Sequence, residues 1–256
     1  MSEKPRVVGI IQARMTSTRF PGKVLAEVAG HPVLWHVVHR ARQVGFLDAV
    51  IVATTREASD DPLADFCEKE GIPCFRGSED DVLDRYFQVA KEIGARVIVR
   101  ITADCPLIDP GGIDRVIEVF LEGCYDYVCN TLPPTFPDGL DIEVFTFEAL
   151  ERAWREAQLQ SEREHVTPYI REHPELFQIG NVTCGENLAG LRWTVDEPGD
   201  LEFVRRVYDQ LGPEPSFGMQ EILNLLRQHP ELKQINAGIE RNEGYQKSLR
   251  EDQIVR

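Results

Sequence analysis

No hydrophobic run in this sequence approaches the roughly 20 residues that a membrane span requires. The short polar start, Met1 to Arg6, leads straight into a strand-like segment and does not read as a secretory signal. There is no C-x-x-C pair and no Cys/His cluster at zinc spacing. The six cysteines, Cys67, Cys74, Cys105, Cys124, Cys129 and Cys184, therefore read as reduced thiols of a cytoplasmic protein. A G-x-G-x-x-G is missing, which argues against a nicotinamide cofactor, and so is the Walker A pattern G-x-x-x-x-G-K-[ST]. Positive charge is scarce: 28 Lys and Arg face 43 Asp and Glu, for a net charge of −15. Nucleic-acid binding runs on Lys and Arg neutralising phosphates, so DNA and RNA are poor partners.

What is present is a soluble, globular composition, 42% hydrophobic and 28% charged over 256 residues. The charge is unevenly spread. Residues 1–47 carry a net +5, and the other 209 residues carry −20. A basic opening on an acidic chain points to a local site for a small anion.

Short apolar runs alternate with amphipathic helical patterns. Strands are predicted at 7–11, 49–53, 73–76, 97–101 and 126–129, with helices at 33–44, 62–70, 81–94 and 112–121. This repeat predicts an α/β fold with a mostly parallel sheet and helices on both faces. Ligands bind such sheets at the carboxyl ends of the strands. Beyond residue 130 the pattern changes. A breaker-rich loop at 131–139 precedes a strand at 142–145 and helices near 147–158, 162–172, 198–211 and 218–228. A further strand is expected at 191–195, and residues 234–256 read as a polar tail, either a docking arm or partly disordered.

The loop after the first strand is Gln12-Ala13-Arg14-Met-Thr-Ser17-Thr-Arg19-Phe-Pro-Gly-Lys23. Three cations and three hydroxyls fall within twelve residues. An Arg fork, a mobile Lys charge and backbone N–H groups together suit a polyphosphate. An ordinary solvated loop is the alternative, disfavoured by its place at the first strand's carboxyl end. Asp104 follows the 97–101 strand, and Asp196 follows the 191–195 run. Two carboxylates at separate strand ends suit a shared magnesium ion, which takes hard oxygen ligands and substrate phosphates. Asp196 reads equally well as a helix N-cap before Pro198. Asp109 reads as a cap, and Asp200 and Glu202 as helix-surface charges.

The runs QARMTSTRFPGKVL at 12–25, RITADCPLIDP at 100–110, RWTVDEPGDL at 192–201 and INAGIERNEGY at 235–245 resemble the sugar cytidylyltransferases. These include the CMP-Kdo and CMP-acylneuraminate synthetases, and the likeness is greatest to their spore-coat-polysaccharide branch. The resemblance implies a nucleotide-diphospho-sugar transferase fold, a three-layer α/β/α sandwich, with residues 1–256 as one nucleotidyltransferase domain. Residues 1–129 would bind nucleotide, 130–233 would form an acceptor and dimer half, and 234–256 a tail. It implies magnesium-dependent transfer of CMP from CTP to an acidic or modified sugar, with pyrophosphate leaving. Carried over by position, Arg14, Ser17, Arg19 and Lys23 would hold the triphosphate, and Asp104 and Asp196 the metal. Gln12 and Ala13 belong to the same loop. Arg19, Lys23 and Asp104 would carry the catalysis. Gly77, Asp80 and Thr102 are the candidates for contacts around the base. The relatives have Gln where this chain has Thr102, and an acid where it has Cys105, so the base stays open to UTP or TTP.

For the acceptor, Asn130, Asp141, Glu143, Arg163 and His165 are the candidates. Arg163 would grip a sugar carboxylate, and His165 would take the attacking hydroxyl's proton. A plain helix start with surface charges is the alternative for 161–165. A glycosyltransferase on the same fold would not need cations aimed at a leaving pyrophosphate. A non-catalytic sugar-nucleotide binder would not need Lys23, Asp104 and Asp196 together. The expected partners are CTP and a sugar, with a possible homodimer and no nucleic acid or membrane.

Overall fold

The structure is a computed structural model that describes residues 6–214 and 216–256. β1 (Val7–Gln12) is followed by a loop and a short 3-10 turn at Lys23–Leu25. A small hairpin, β2 (Glu27–Val28) and β3 (His31–Pro32), then leads into α1 (Val33–Ala41). Next come β4 (Ala49–Thr55), α2 (Asp61–Lys69), β5 (Cys74–Gly77), α3 (Val82–Glu92), β6 (Val97–Thr102) and α4 (Pro110–Glu122). β7 (Tyr127–Cys129), β8 (Glu143–Thr146), α5 (Phe147–Glu156), α6 (Gln160–His165), α7 (Pro168–Glu172) and β9 (Ile179–Asn181) follow. The chain ends with α8 (Pro198–Leu211), α9 (Met219–Gln228) and α10 (Glu243–Arg250). No described helix is long and apolar enough to cross a membrane.

The seven main strands form one sheet in the order β5-β4-β1-β6-β8-β7-β9. Only β8 runs against its neighbours. Strand alternation divides the core between the two faces. Val7 and Ile11 point with Val97, Val99 and Ile101 toward α1, α2 and α4. Val8, Ile10 and Ile98 point toward α3, α5 and α7. Helices on both faces make the three-layer α/β/α architecture. A third cluster, around Trp193, packs α8 and α9 beside the sheet.

Local chemistry sets the helix starts. The Asp81 carboxylate accepts from the Asp84 N–H at 2.8 Å and caps α3. Asp109, the expected cap, accepts from the Gly112 N–H at 2.8 Å, with Pro110 in the first turn of α4. The predicted helix at 162–172 is instead two short helices, because Val166 turns to φ 72° and Pro168 opens a new one.

The segment 191–195 is not a strand. Its β-type pairing among the described residues is one isolated parallel bridge, Asp138 to Arg192. The Trp193 N–H donates to Asp138 O and the Val195 N–H to Asp104 O, both at 2.7 Å. Its apolar residues serve the third cluster rather than the sheet. Gly139 permits this crossing: its φ is 101°, and a Cβ there would lie 2.6 Å from the Thr194 nitrogen. Three further features differ from expectation: the β2–β3 hairpin, β9, and α10, which forms within the stretch read as a polar tail.

Candidate active site

The carboxyl ends of β1 and β6 open into a cleft of two adjoining cavities. After Gln12 the chain leaves the sheet, with the Ala13 N–H still donating to Ala53 O at 3.1 Å. The loop is tied down by the buried carboxylate of Asp60, which accepts from the Met15 N–H at 2.7 Å and from the Thr54 and Thr55 hydroxyls. It closes on itself where the Gly22 N–H donates to Met15 O, at a left-handed φ of 76° that suits glycine. That reversal drives Lys23 inward, leaving it 7% exposed.

The Lys23 ammonium lies 2.7 Å from Asp104 Oδ2 and 2.7 Å from Asp196 Oδ1. Arg19 reaches Asp196 at 3.1 Å and Glu243 at 3.1 Å. Burial pulls the Lys23 ammonium down, but the two carboxylates more than offset it and leave its pKa above the ordinary value. Burial likewise opposes ionisation of Asp104, yet Lys23 wins and holds that carboxyl at about 2. Side chains of opposite charge from three chain segments thus meet at one point.

Asp196 is not a helix cap. Asp200 does that work, its carboxylate accepting from the backbone N–H groups of Asp196 and Glu197. Asp200 is fully buried and is no surface charge. It shares the guanidinium of Arg192, which also donates to Asp138 and Asp196 at 2.7 and 2.8 Å. Arg192, unremarked in the sequence, therefore orients Asp196. Asn236 completes the arrangement with donors to Arg192 O and Asp200.

A cation suits the place where Asp104 and Asp196 converge, since Lys23 already puts positive charge within 2.7 Å of both. Among the described residues no group of three or more His, Cys, Asp or Glu forms a self-sufficient metal cluster. Two carboxylates with the remaining positions left to water and phosphate is the donor set of magnesium.

One cavity, of about 560 Å³, is lined by Gln12, Ala13, Arg14, Ser17, Arg19 and Lys23, with Arg85 on its α3 side. Arg85 is 2% exposed and has no carboxylate partner among the described residues, and its Nε and Nη1 lack hydrogen bonds. Only the fold could reveal it, because in sequence it is one more charge on an amphipathic helix. The second cavity, about 220 Å³, is lined by Arg100, Asp138, Asp141, Glu143, Thr167 and Arg171 among others. Thr102, Asp104, His165 and Asp196 belong to both.

Glu143 is held by Arg100, the Tyr127 hydroxyl and the Thr167 hydroxyl. Burial raises its pKa most, but Arg100, Arg171 and the two hydroxyl donors together outweigh burial and keep it below the usual range. Asp141 pairs with Arg241, yet its burial is the larger influence and raises its carboxyl. His165 lies 3.0 Å from Ser248 Oγ, and burial lowers it to about 4, so the ring is neutral near pH 7.

Four candidates lie elsewhere. Arg163 spends its fork on Asp81 and the Trp154 carbonyl, so it cannot grip a sugar carboxylate in the cleft. Asn130 is buried, donating to Leu140 O and accepting from the Ile142 N–H, which shapes the loop rather than lining a cavity. Asp80 borders a separate cavity beside Trp154. Gly77 packs against Arg85 and lines neither cleft cavity. Its turn does reach the signature loop, through Thr16 to Glu79 at 3.0 Å.

The cytidylyltransferase family profile matches residues 8–235. The spore coat polysaccharide biosynthesis protein SpsF of Bacillus subtilis is 36% identical over 234 residues, covering 88% of this chain and 95% of that protein. A cytidylyltransferase from Leptospira borgpetersenii superposes with a TM-score of 0.87 at 32% identity, covering 93% of this chain and all of that one. The 3-deoxy-manno-octulosonate cytidylyltransferase of Nitratidesulfovibrio vulgaris is 38% identical over 127 residues, about half of each chain. With the loop, the strand-end carboxylates and the fold all in agreement, this chain belongs to the cytidylyltransferase family.

Proposed function

We propose that this enzyme transfers CMP from CTP to a hydroxyl of an acidic or modified sugar destined for a surface polysaccharide, releasing pyrophosphate with Mg²⁺ bound. The observation that carries this reading is the Lys23 ammonium 2.7 Å from both Asp104 and Asp196, with Arg19 on the same carboxylate. The names of the SpsF and octulosonate relatives support a sugar acceptor.

The larger cavity takes the nucleotide. Arg14, Ser17, Arg19 and Lys23 face its phosphates, and Arg85 offers donors deeper in. The sugar oxygen forms a bond to the α-phosphorus while the bond from that phosphorus to pyrophosphate breaks. Negative charge grows on the leaving oxygens, and Arg19 and Lys23 stabilise it from fixed positions. Mg²⁺ on Asp104 and Asp196 would supply Lewis-acid charge neutralisation to the phosphates. Arg192 keeps Asp196 aimed.

The smaller cavity takes the sugar. Arg171, whose Nε lacks a partner, is better placed than Arg163 to meet a sugar carboxylate. The attacking hydroxyl's proton goes to Asp141 rather than His165. A base works best with a pKa near the operating pH, and burial moves Asp141 toward that range while taking His165 away from it.

Pyrophosphate release tests the reading, with CTP, UTP and TTP each offered alongside a panel of acidic and neutral sugars and Mg²⁺. CTP-dependent release with an acidic sugar is expected. Release with UTP or TTP alone would change the product, and unaltered release by Asp104→Asn would overturn the metal site.

A further inference from the structure

The cleft has a roof that lies outside the region matched by the family profile, which stops at residue 235. α10 has no buried residue, so hydrophobic burial does not explain where it sits. It is held across the cleft by polar contacts on both flanks. Before it, Arg241 donates to Phe136 O and pairs with Asp141. Along it, Ser248 meets His165 and Glu164, and Tyr245 meets Glu172, with the Arg171 guanidinium 5.3 Å over its ring. Beyond it, the Asp252 carboxylate accepts from the Ser161 N–H and hydroxyl, and the Gln160 N–H donates to Gln253 O at 2.8 Å.

A polar segment clamped at both ends over the larger cavity has a use in its charges. Lys247 and Arg250, on one side of α10 at a spacing of three, both line the larger cavity opposite the signature loop. Neither makes an ion pair or side-chain hydrogen bond among the described residues, whereas Glu243 at the start of the same helix already engages Arg19. We propose that residues 240–251 are a roof over the nucleotide cavity, and that Lys247 and Arg250 are further phosphate-binding residues of the enzyme. This rests on the nucleotide reading of that cavity.

The experiment titrates CTP, CMP and tripolyphosphate into the full chain and into Lys247→Ala/Arg250→Ala, at low and high salt, with melting temperatures alongside. The double variant is expected to bind CTP and tripolyphosphate about tenfold more weakly at low salt and CMP much less so, with an unchanged melting temperature. The swap Lys247→Arg/Arg250→Lys is expected to keep wild-type binding. Equal CTP affinity in wild type and double variant would overturn the roof and leave the nucleotide reading intact. So would equal weakening of CTP and CMP, since the phosphate tail would then not be what the roof reads. Wild-type binding of tripolyphosphate but not CTP, lost in the double variant, would keep the roof and overturn the base. Binding of neither by wild type would overturn both.

Discussion

The two cavities of the cleft share a wall and differ in charge. The larger one brings together Arg14, Arg19, Lys23, Arg85, Lys247 and Arg250 with Asp104, Glu164, Asp196, Glu243 and Glu251. The smaller one is edged by seven carboxylates, including Asp138, Asp141, Glu143 and Glu240, against the guanidinium groups of Arg19, Arg100, Arg171 and Arg192. In the first, Arg85, Lys247 and Arg250 carry no ion pair among the described residues, while Lys23 and Arg19 engage Asp104 and Asp196. The second commits its arginines to carboxylates, Arg100 to Glu143 and Arg192 to Asp138, and still holds more carboxylates than guanidinium groups. In the function proposed above, the triphosphate takes the first and the sugar takes the second. The difference teaches that two adjoining cavities are told apart by which of their charges are already committed to one another.

The contrast can be broken from the acceptor side. Glu143→Ala leaves the half-buried Arg100 without its carboxylate and should cost about 3–5 kcal/mol of stability, read from urea midpoints. If the fold were unaffected, the smaller cavity would not be a committed ion network. From the nucleotide side, Lys23→Ala should lower turnover about 10²–10³-fold in a pyrophosphate assay, with the fold retained. A loss of stability as large as that of Glu143→Ala would erase the distinction between the two cavities.

Acid reports on buried histidines at two depths. His36 sits at 0% exposure against Tyr208, and burial lowers it to about 4, as it does His165 at the cleft. Both folded values lie below the unfolded one, so the unfolded chain takes up protons first as pH falls. Their stabilising contribution is full above about pH 6.5 and is lost between 6.5 and 4, with a slope of about 1.4 kcal/mol per pH unit for each histidine. His36→Gln should flatten that slope in denaturation curves, and an unchanged slope would place the titration elsewhere. The smallest effect concerns the shared wall. Glu243→Gln removes the carboxylate that occupies Arg19, and should tighten CTP about threefold in calorimetry. Weaker binding would mean that Glu243 helps to hold Arg19 in place for the phosphate.

The cationic loop and its place at a strand end were legible in the sequence, and the partners of the proposed acceptor residues were not. Arg14, Arg19 and Lys23 stand directly after an apolar strand, and parallel sheets put such loops at the ligand end. Asp104 was found the same way. Asp196 was found for an imperfect reason, since the run before it packs on α8 and α9 instead of joining the sheet. Arg163 and Asn130 were misplaced because composition says nothing about which partner a side chain finds. One is consumed by Asp81 and the other by two backbone groups. Arg85, Arg192 and Asp60 were missed because their spacing matches that of ordinary surface charges.

By itself the sequence determined the layered α/β architecture and marked the cationic loop and Asp104 as strand-end candidates. Apolar periodicity and local charge are short-range properties, and they are readable wherever a strand ends. Tertiary structure decided which charges face each other: Lys23 between Asp104 and Asp196, Arg192 behind Asp196, Arg171 in place of Arg163, and a polar tail laid over the cleft as α10. Those pairings span up to 224 residues of chain, from Arg19 to Glu243. Ion pairs at that separation depend on the packing of every element between them, and no local pattern encodes them.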